Sequence, residues 1–146
     1  MKMQIKRLNP RAILPTYGTS AAAGADLYAL LPEGETMTVL PGETAMCHTG
    51  LAMAIPQGFA GLVFARSGLS VKQGLAPANK VGVIDADYRG ELMVALYNQS
   101  KEPRTVCHGD RIAQLVVVPV AQPVFEETDD LPETLRGEGG FGSTGR

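Results

Sequence analysis

The sequence predicts an all-β sandwich or barrel carrying one short helix. Seventeen glycines and ten prolines among 146 residues exceed ordinary usage, and each interrupts a helix interior. Turn signals recur every eight to twelve residues, the spacing of short strands in a sandwich or barrel. With four Tyr, four Phe and no Trp, the core must be built from Val, Leu, Ile, Met and Ala. A hydrophobic content of 45% is that of a globular chain, and 146 residues make one domain able to bury its core unaided.

The elements follow in order. Residues 3–8 alternate apolar and polar, and Asn9-Pro10 and Pro15 then break regular structure. Residues 25–30 read as a strand ended by Pro32 and Gly34. Residues 36–40 alternate again and stop at the turn dipeptide Pro41-Gly42. Residues 44–55 are extended, interrupted by Gly50 and closed by Pro56-Gln-Gly58; residues 59–65 are apolar and β-like. A helix fits residues 67–73, with Ser67 as its cap and Gly74 as its stop. Residues 81–84 and 91–97 flank a polar segment and read as a hairpin with a wide loop. Residues 111–120, rich in Ile and Val, read as a buried central strand. The remainder turns acidic at Glu126-Glu-Thr-Asp-Asp130 and then glycine-rich from Arg136 to Arg146, an arm expected to be flexible.

A formal charge of −2 argues against general nucleic-acid binding but leaves room for a small anionic ligand held by a few placed arginines. Cys47 and Cys107 have no metal spacing and read as two reduced thiols in or near the core. His48 and His108 are isolated, without a second ligand at a metal spacing. No 18-residue apolar run and no apolar segment after the charged start are present, which predicts a cytoplasmic protein with neither membrane span nor signal peptide.

Three segments concentrate polar chemistry. Ala65-Arg-Ser-Gly-Leu-Ser70 ends an apolar strand and opens the helix, either as an anion site or as a plain turn with an exposed Arg. Gly82-Val-Ile-Asp85-Ala-Asp87-Tyr88-Arg-Gly-Glu91 holds two carboxylates that share a face if the chain is extended. That placement suits a general base, and a solvated hairpin tip is the plainer reading. The Gly-rich end lacks the lysine, strand and helix of a P-loop; it is either a loose terminus or an arm that wraps phosphates with its backbone N–H groups.

Together the segments resemble the five ordered motifs of the trimeric dUTP diphosphatases: Ala23-Gly-Ala-Asp26-Leu-Tyr-Ala-Leu30, Ala65-Arg66-Ser67-Gly68-Leu-Ser70, Asn79 through Glu91, Arg111-Ile-Ala-Gln114-Leu, and Arg136 through Gly145. The resemblance spans nearly the whole chain. It implies a jelly-roll-like β-barrel, residues 1–127 forming the core, with an acidic linker and arm over residues 128–146. It also implies a homotrimer whose active sites are shared between subunits and closed by the arm.

The implied reaction is Mg²⁺-dependent hydrolysis of dUTP to dUMP and pyrophosphate, which limits uracil in DNA and supplies dUMP for dTMP synthesis. Asp85 matches the general base that directs a water onto the α-phosphorus. Asp26 matches the acid that holds water around the metal. Arg66, Ser67, Gly68 and Gln114 match phosphate contacts. Asn79, Gly82, Tyr88 and Met93 match the nucleoside pocket, Tyr88 packing on the deoxyribose. In the arm, Arg136, Ser143 and Thr144 match contacts to the outer phosphates, Gly142 matches a substrate contact, and Phe141 matches the residue that stacks on the base. Arg111 reads as a structural ion-pair partner. Two rivals remain: a non-catalytic nucleotide-binding trimer, which the presence of Asp85 disfavours, and a dCTP deaminase relative, which would carry a second Arg where residues 65–73 have only Arg66.

Overall fold

A computed structural model describes residues 1–140. Its elements run β1 (Gln4–Arg7), β2 (Thr16–Tyr17), β3 (Ala25–Tyr28), β4 (Thr36–Val39), β5 (Thr44–His48), β6 (Leu51–Ala54), β7 (Phe59–Phe64), α1 (Ser67–Gln73), β8 (Leu75–Pro77), β9 (Val81–Ile84), β10 (Met93–Asn98), β11 (Arg104–Cys107) and β12 (Arg111–Pro119). The architecture is the expected all-β, jelly-roll-like one. Its strands form four hydrogen-bonded groups rather than one closed barrel: β1-β6, β5-β10-β8, β11-β4 and β2-β3-β12-β7-β9. All pairings are antiparallel. No described helix is long and apolar enough to cross a membrane.

The core forms where the larger sheet faces the β5-β10-β8 group. Leu27, Val63, Ile84, Ile112, Ala113 and Leu115 meet Cys47, Leu75, Val94 and Leu96, all buried. On β10 the inward positions Val94, Leu96 and Asn98 alternate with partly exposed ones, the signature of a strand with one wet face. β12 is central in its sheet, as its β-branched run predicts. Asn98 is fully buried yet satisfied: its Nδ2 donates to the Val39 and Glu102 carbonyls, and its Oδ1 accepts from the Ser100 backbone N–H and hydroxyl.

Four expectations are corrected. β9 and β10 do not form a hairpin, because β9 pairs with β7 while β10 pairs with β5 and β8. Alternation locates strands but not partners, and the segment between them crosses from one sheet to the other. Ser67 does not cap α1: the extended backbone of β7 continues through Arg66 (φ −89°, ψ 129°), so Arg66 holds the cap position without a side-chain cap bond. Gly74, with φ 72°, does end the helix. Asp85 and Asp87 are not on an extended strand, since the Tyr88 N–H donates to the Asp85 carbonyl at 3.2 Å and closes a turn. Of the two free cysteines, Cys47 is buried, but Cys107 faces outward from β11.

Candidate active site

The divergence of β9 from β10 opens a cavity of about 250 Å³ between the two sheets. Asn79, Gly82, Asp85, Tyr88 and Met93 all border it, with Val63, Ile84, Leu92 and Val94 as apolar walls. One sequence segment therefore supplies both the polar and the narrow parts of the pocket. Lys80 is held at φ 64°, unusual for a residue with a side chain, and the Val81 N–H closes a tight turn onto the Asn79 carbonyl at 2.7 Å. Gly82 lies opposite Val63 in the ladder; a Cβ there would stand 3.3 Å from both Asn79 Nδ2 and Val63 Cβ. Among the described residues β9 is the edge of its sheet, so one row of its N–H and C=O groups has no strand partner there.

The loop after β9 carries Asp85 and Tyr88. Asp85 is exposed at the cavity rim and also borders a second depression with Asp87 and Gln57. Tyr88 folds back over Gly90, and its Oη donates to the Glu91 carbonyl at 2.9 Å. Arg89 Nη1 donates to the Ala86 and Tyr88 carbonyls at 2.7 and 2.8 Å, bracing the turn from outside.

A second cluster occupies one face of the larger sheet. Asp26 lies opposite Gln114, and Gln114 opposite Phe64. Side chains alternate along a strand, so Arg66, two residues beyond Phe64, lies on that same face. A register shift between Arg111 and Ala113 inserts Ile112 and brings Arg111 round to it as well. Arg66 Nε donates to Asp26 Oδ1 at 2.7 Å, and Arg111 Nη1 to Asp26 Oδ2 at 3.3 Å. Gln114 Nε2 donates to the Ala65 carbonyl at 2.9 Å. Gly24 permits this approach, since a Cβ there would lie 2.8 Å from Gln114 Oε1. Gly68 and Arg66 border a separate cavity with Arg111. Val63, one residue before Phe64, points to the opposite face, so the Arg66 cluster and the Asp85 cavity lie on opposite sides of β7.

Among the described residues no group of three or more His, Cys, Asp or Glu is placed to hold a metal ion. Asp26, the expected metal-side acid, has each carboxylate oxygen engaged by a guanidinium. At the start of the arm, Arg136 Nε donates to the Gly139 carbonyl at 2.6 Å; Phe141, Gly142, Ser143 and Thr144 lie outside the described residues. Sequence reasoning missed Val63, Met46 and Glu91 as wall residues. Val63 was discoverable only through its pairing with Gly82, and Met46 only through the pairing of β5 with β10.

Comparisons with known proteins show which family the chain resembles. The dUTPase family model matches residues 10–145. The deoxyuridine 5'-triphosphate nucleotidohydrolase of Syntrophotalea carbinolica is 50% identical, over 98% of this chain and 96% of its own length. That of Acinetobacter baumannii is 46% identical over 100% and 99%. Among solved structures, a dUTPase of Staphylococcus bacteriophage 80alpha with dUpNHpp superposes with a TM-score of 0.89 at 29% identity, covering 99% of both chains. A dUTPase from phage phi11 of S. aureus, described with a coordinated structural Mg(II) ion, superposes with a TM-score of 0.79 at 28% identity, covering 89% of this chain and 98% of that one.

Proposed function

The chain belongs to the dUTPase family and hydrolyses dUTP to dUMP and pyrophosphate, and on that premise we propose that the β9–β10 cavity takes the deoxyuridine with Asp85 as general base. The observation that carries this reading is the convergence of Asn79, Gly82, Asp85, Tyr88 and Met93 on one cavity. Uracil is held by Asn79 and the free backbone groups of the β9 edge. The narrow wall at Gly82 and Val63 excludes a 5-methyl group, and reversed donor and acceptor positions leave cytosine badly paired. Tyr88 covers the deoxyribose and leaves no room for a 2′-hydroxyl.

Asp85 accepts a hydrogen bond from a water and takes its proton as the water oxygen bonds to the α-phosphorus. The bond from that phosphorus to the bridging oxygen breaks in line, and the electron pair leaves with pyrophosphate. The protein's remaining task is to position the chain and to stabilise charge on the phosphate oxygens. Arg66, Ser67, Gly68 and Gln114 provide that contact, with Asp26 fixing the direction of Arg66. Asp26 would hold the water shell of a Mg²⁺ ion rather than the ion itself, since each of its oxygens is engaged by a guanidinium. When bound, it neutralises phosphate charge and fixes the conformation of the triphosphate.

The placement of the Arg66 cluster and the Asp85 cavity on opposite faces of β7 supports a shared site, in which one copy of the chain supplies the cavity and another the phosphate contacts. A homotrimer closes such head-to-tail contacts. Exposed Val83 and Met46 beside the cavity suit an apolar subunit contact. Residues 1–127 then form the core, and the linker and arm of residues 128–146 bring Arg136, Phe141, Gly142, Ser143 and Thr144 over the substrate as a lid. Phe141→Ala is expected to weaken substrate closure and to leave the trimer intact; dissociation into monomers would overturn the lid.

The test measures pyrophosphate release from dUTP, dTTP, dCTP and UTP, with and without Mg²⁺, for the parent and Asp85→Asn. Mg²⁺-dependent turnover of dUTP alone, lost in Asp85→Asn, is the expected result. Turnover surviving in Asp85→Asn would remove the assignment of the base.

A further inference from the structure

Glu91 borders the cavity, but it has no part in the reading of the reaction given above. Its side chain points away from the substrate space and spans to the corner between β5 and β6. Oε1 accepts the Gly50 N–H at 2.8 Å, and Oε2 lies 2.9 Å from His48 Nδ1. Its main-chain carbonyl accepts the Tyr88 hydroxyl at 2.9 Å. The next residue is fastened to the same corner: the Leu92 N–H donates to the Leu51 carbonyl at 2.7 Å, and the Thr49 hydroxyl donates to the Leu92 carbonyl at 2.6 Å.

The corner itself is rigid. Thr49 is fully buried, and Gly50 takes φ 68° in a space where a Cβ would collide with Leu30 and Ala12. The His48 carbonyl accepts the Leu30 N–H and the Gly50 carbonyl accepts the Leu8 N–H, both at 2.8 Å. The loop that carries Asp85 and Tyr88 is thus moored at its far end to a fixed point of the core by the Glu91 carboxylate and the Leu92 backbone.

We propose that Glu91 is a positioning residue that sets the place of the Tyr88 ring and thereby the discrimination against a 2′-hydroxyl. The ring's only described hydrogen bond within this loop runs to the Glu91 carbonyl, and the Glu91 carboxylate holds that carbonyl in place together with the Leu92 N–H of the same peptide unit. The inference rests on the reading that Tyr88 covers the deoxyribose.

The experiment measures kcat/KM for dUTP and UTP in the parent, Glu91→Ala, Glu91→Gln, Tyr88→Phe and Tyr88→Ala. Losing the mooring is expected to lower the dUTP-to-UTP ratio about tenfold in Glu91→Ala, chiefly through a gain with UTP and a raised KM for dUTP. Glu91→Gln can still accept from Gly50 and donate to His48, and is expected to restore the parent ratio to within about threefold. Tyr88→Phe keeps the ring and the fold and removes only the bond to the Glu91 carbonyl; it is expected to shift the ratio in the same direction, which decides the matter if Glu91→Ala does not fold. An unchanged ratio in Glu91→Ala, or in Tyr88→Phe, overturns the proposal. An unchanged ratio in Tyr88→Ala instead overturns the placing of the deoxyribose under Tyr88.

Discussion

Asp26 on β3 and Arg66 at the end of β7 are joined by a 2.7 Å ion pair that reaches across β12, the strand lying between them. Two segments far apart in sequence are thereby locked onto one face of the larger sheet. The Asp26 side chain is 12% exposed and Arg66 24%, while Arg111, the second partner at 3.3 Å, is 52% exposed.

That gradient orders the effects of substitution. Asp26→Asn leaves two guanidiniums without their counter-charge, one of them mostly buried, and is expected to lower unfolding stability by about 1–3 kcal/mol. Arg111→Ala removes only a long, solvent-screened contact and is expected to cost about 1 kcal/mol or less. Urea titrations at one fixed protein concentration give the ranking, the concentration being held because association adds to apparent stability. Equal midpoints for the two variants would show that the Asp26–Arg66 pair contributes nothing.

Cys47 yields a prediction in pH. Burial, reinforced by the nearby negative charge of Asp110, pushes its thiol up to about 12 from an ordinary 9.0. Between those values the unfolded chain has lost the thiol proton and the folded one has kept it. The unfolded state therefore binds fewer protons, and stability falls as pH rises through that window, by about 1.4 kcal/mol per pH unit at most. Below about 9 both states hold the proton and the effect is absent. Cys47→Ala removes this slope along with some packing. Unfolding midpoints from pH 8 to 11 should fall more steeply for the parent than for the variant; parallel curves would refute the assignment.

Much of this was legible in the sequence because local rules decide it. The Gly and Pro punctuation located the strands, Gly74 ended the helix, and the Ile- and Val-rich run became the central strand. What escaped was set by partners distant in sequence. Nothing in the order of residues says that β9 pairs with β7 rather than β10, and the cavity exists because of that choice. The face shared by Asp26, Arg66 and Arg111 depends on one inserted residue, Ile112, which reverses the parity of Arg111 relative to Gln114. The mooring of Glu91 depends on the β5–β6 corner, some forty residues earlier.

Lys80 marks stored strain beside the pocket. Its φ of 64° suits glycine, and the tight turn it centres aims Asn79 at the cavity. Lys80→Gly is expected to be neutral or to stabilise by up to about 1 kcal/mol, relief of strain being partly offset by the greater freedom of the unfolded chain. Lys80→Val places a β-branched side chain in the same conformation and is expected to destabilise by about 1–2 kcal/mol. Thermal unfolding at matched concentration separates them. A valine variant as stable as the glycine one would mean that the turn does not hold the positive φ in solution.

Gly82 offers the sharpest test of the pocket, because the space available there is known on both sides. A methyl group at this position would sit 3.3 Å from Val63 Cβ, which belongs to a paired strand and cannot retreat far. It would also sit 3.3 Å from Asn79 Nδ2, which lies at the free end of a side chain on a turn. The amide therefore gives way, and the group expected to recognise the base is displaced by a few tenths of an ångström. The fold should survive, with a loss of about 1 kcal/mol or less, because Gly82 has an ordinary backbone conformation. Recognition should not: we expect KM for dUTP to rise about tenfold in Gly82→Ala, with kcat falling much less, since Asp85 sits beyond the end of the strand. A second change, Asn79→Ala in the Gly82→Ala background, should add little, because the methyl group has already spoiled that contact. Steady-state kinetics on the single and double variants check this, and full additivity of the two effects would show that Gly82 acts on the substrate directly rather than through Asn79.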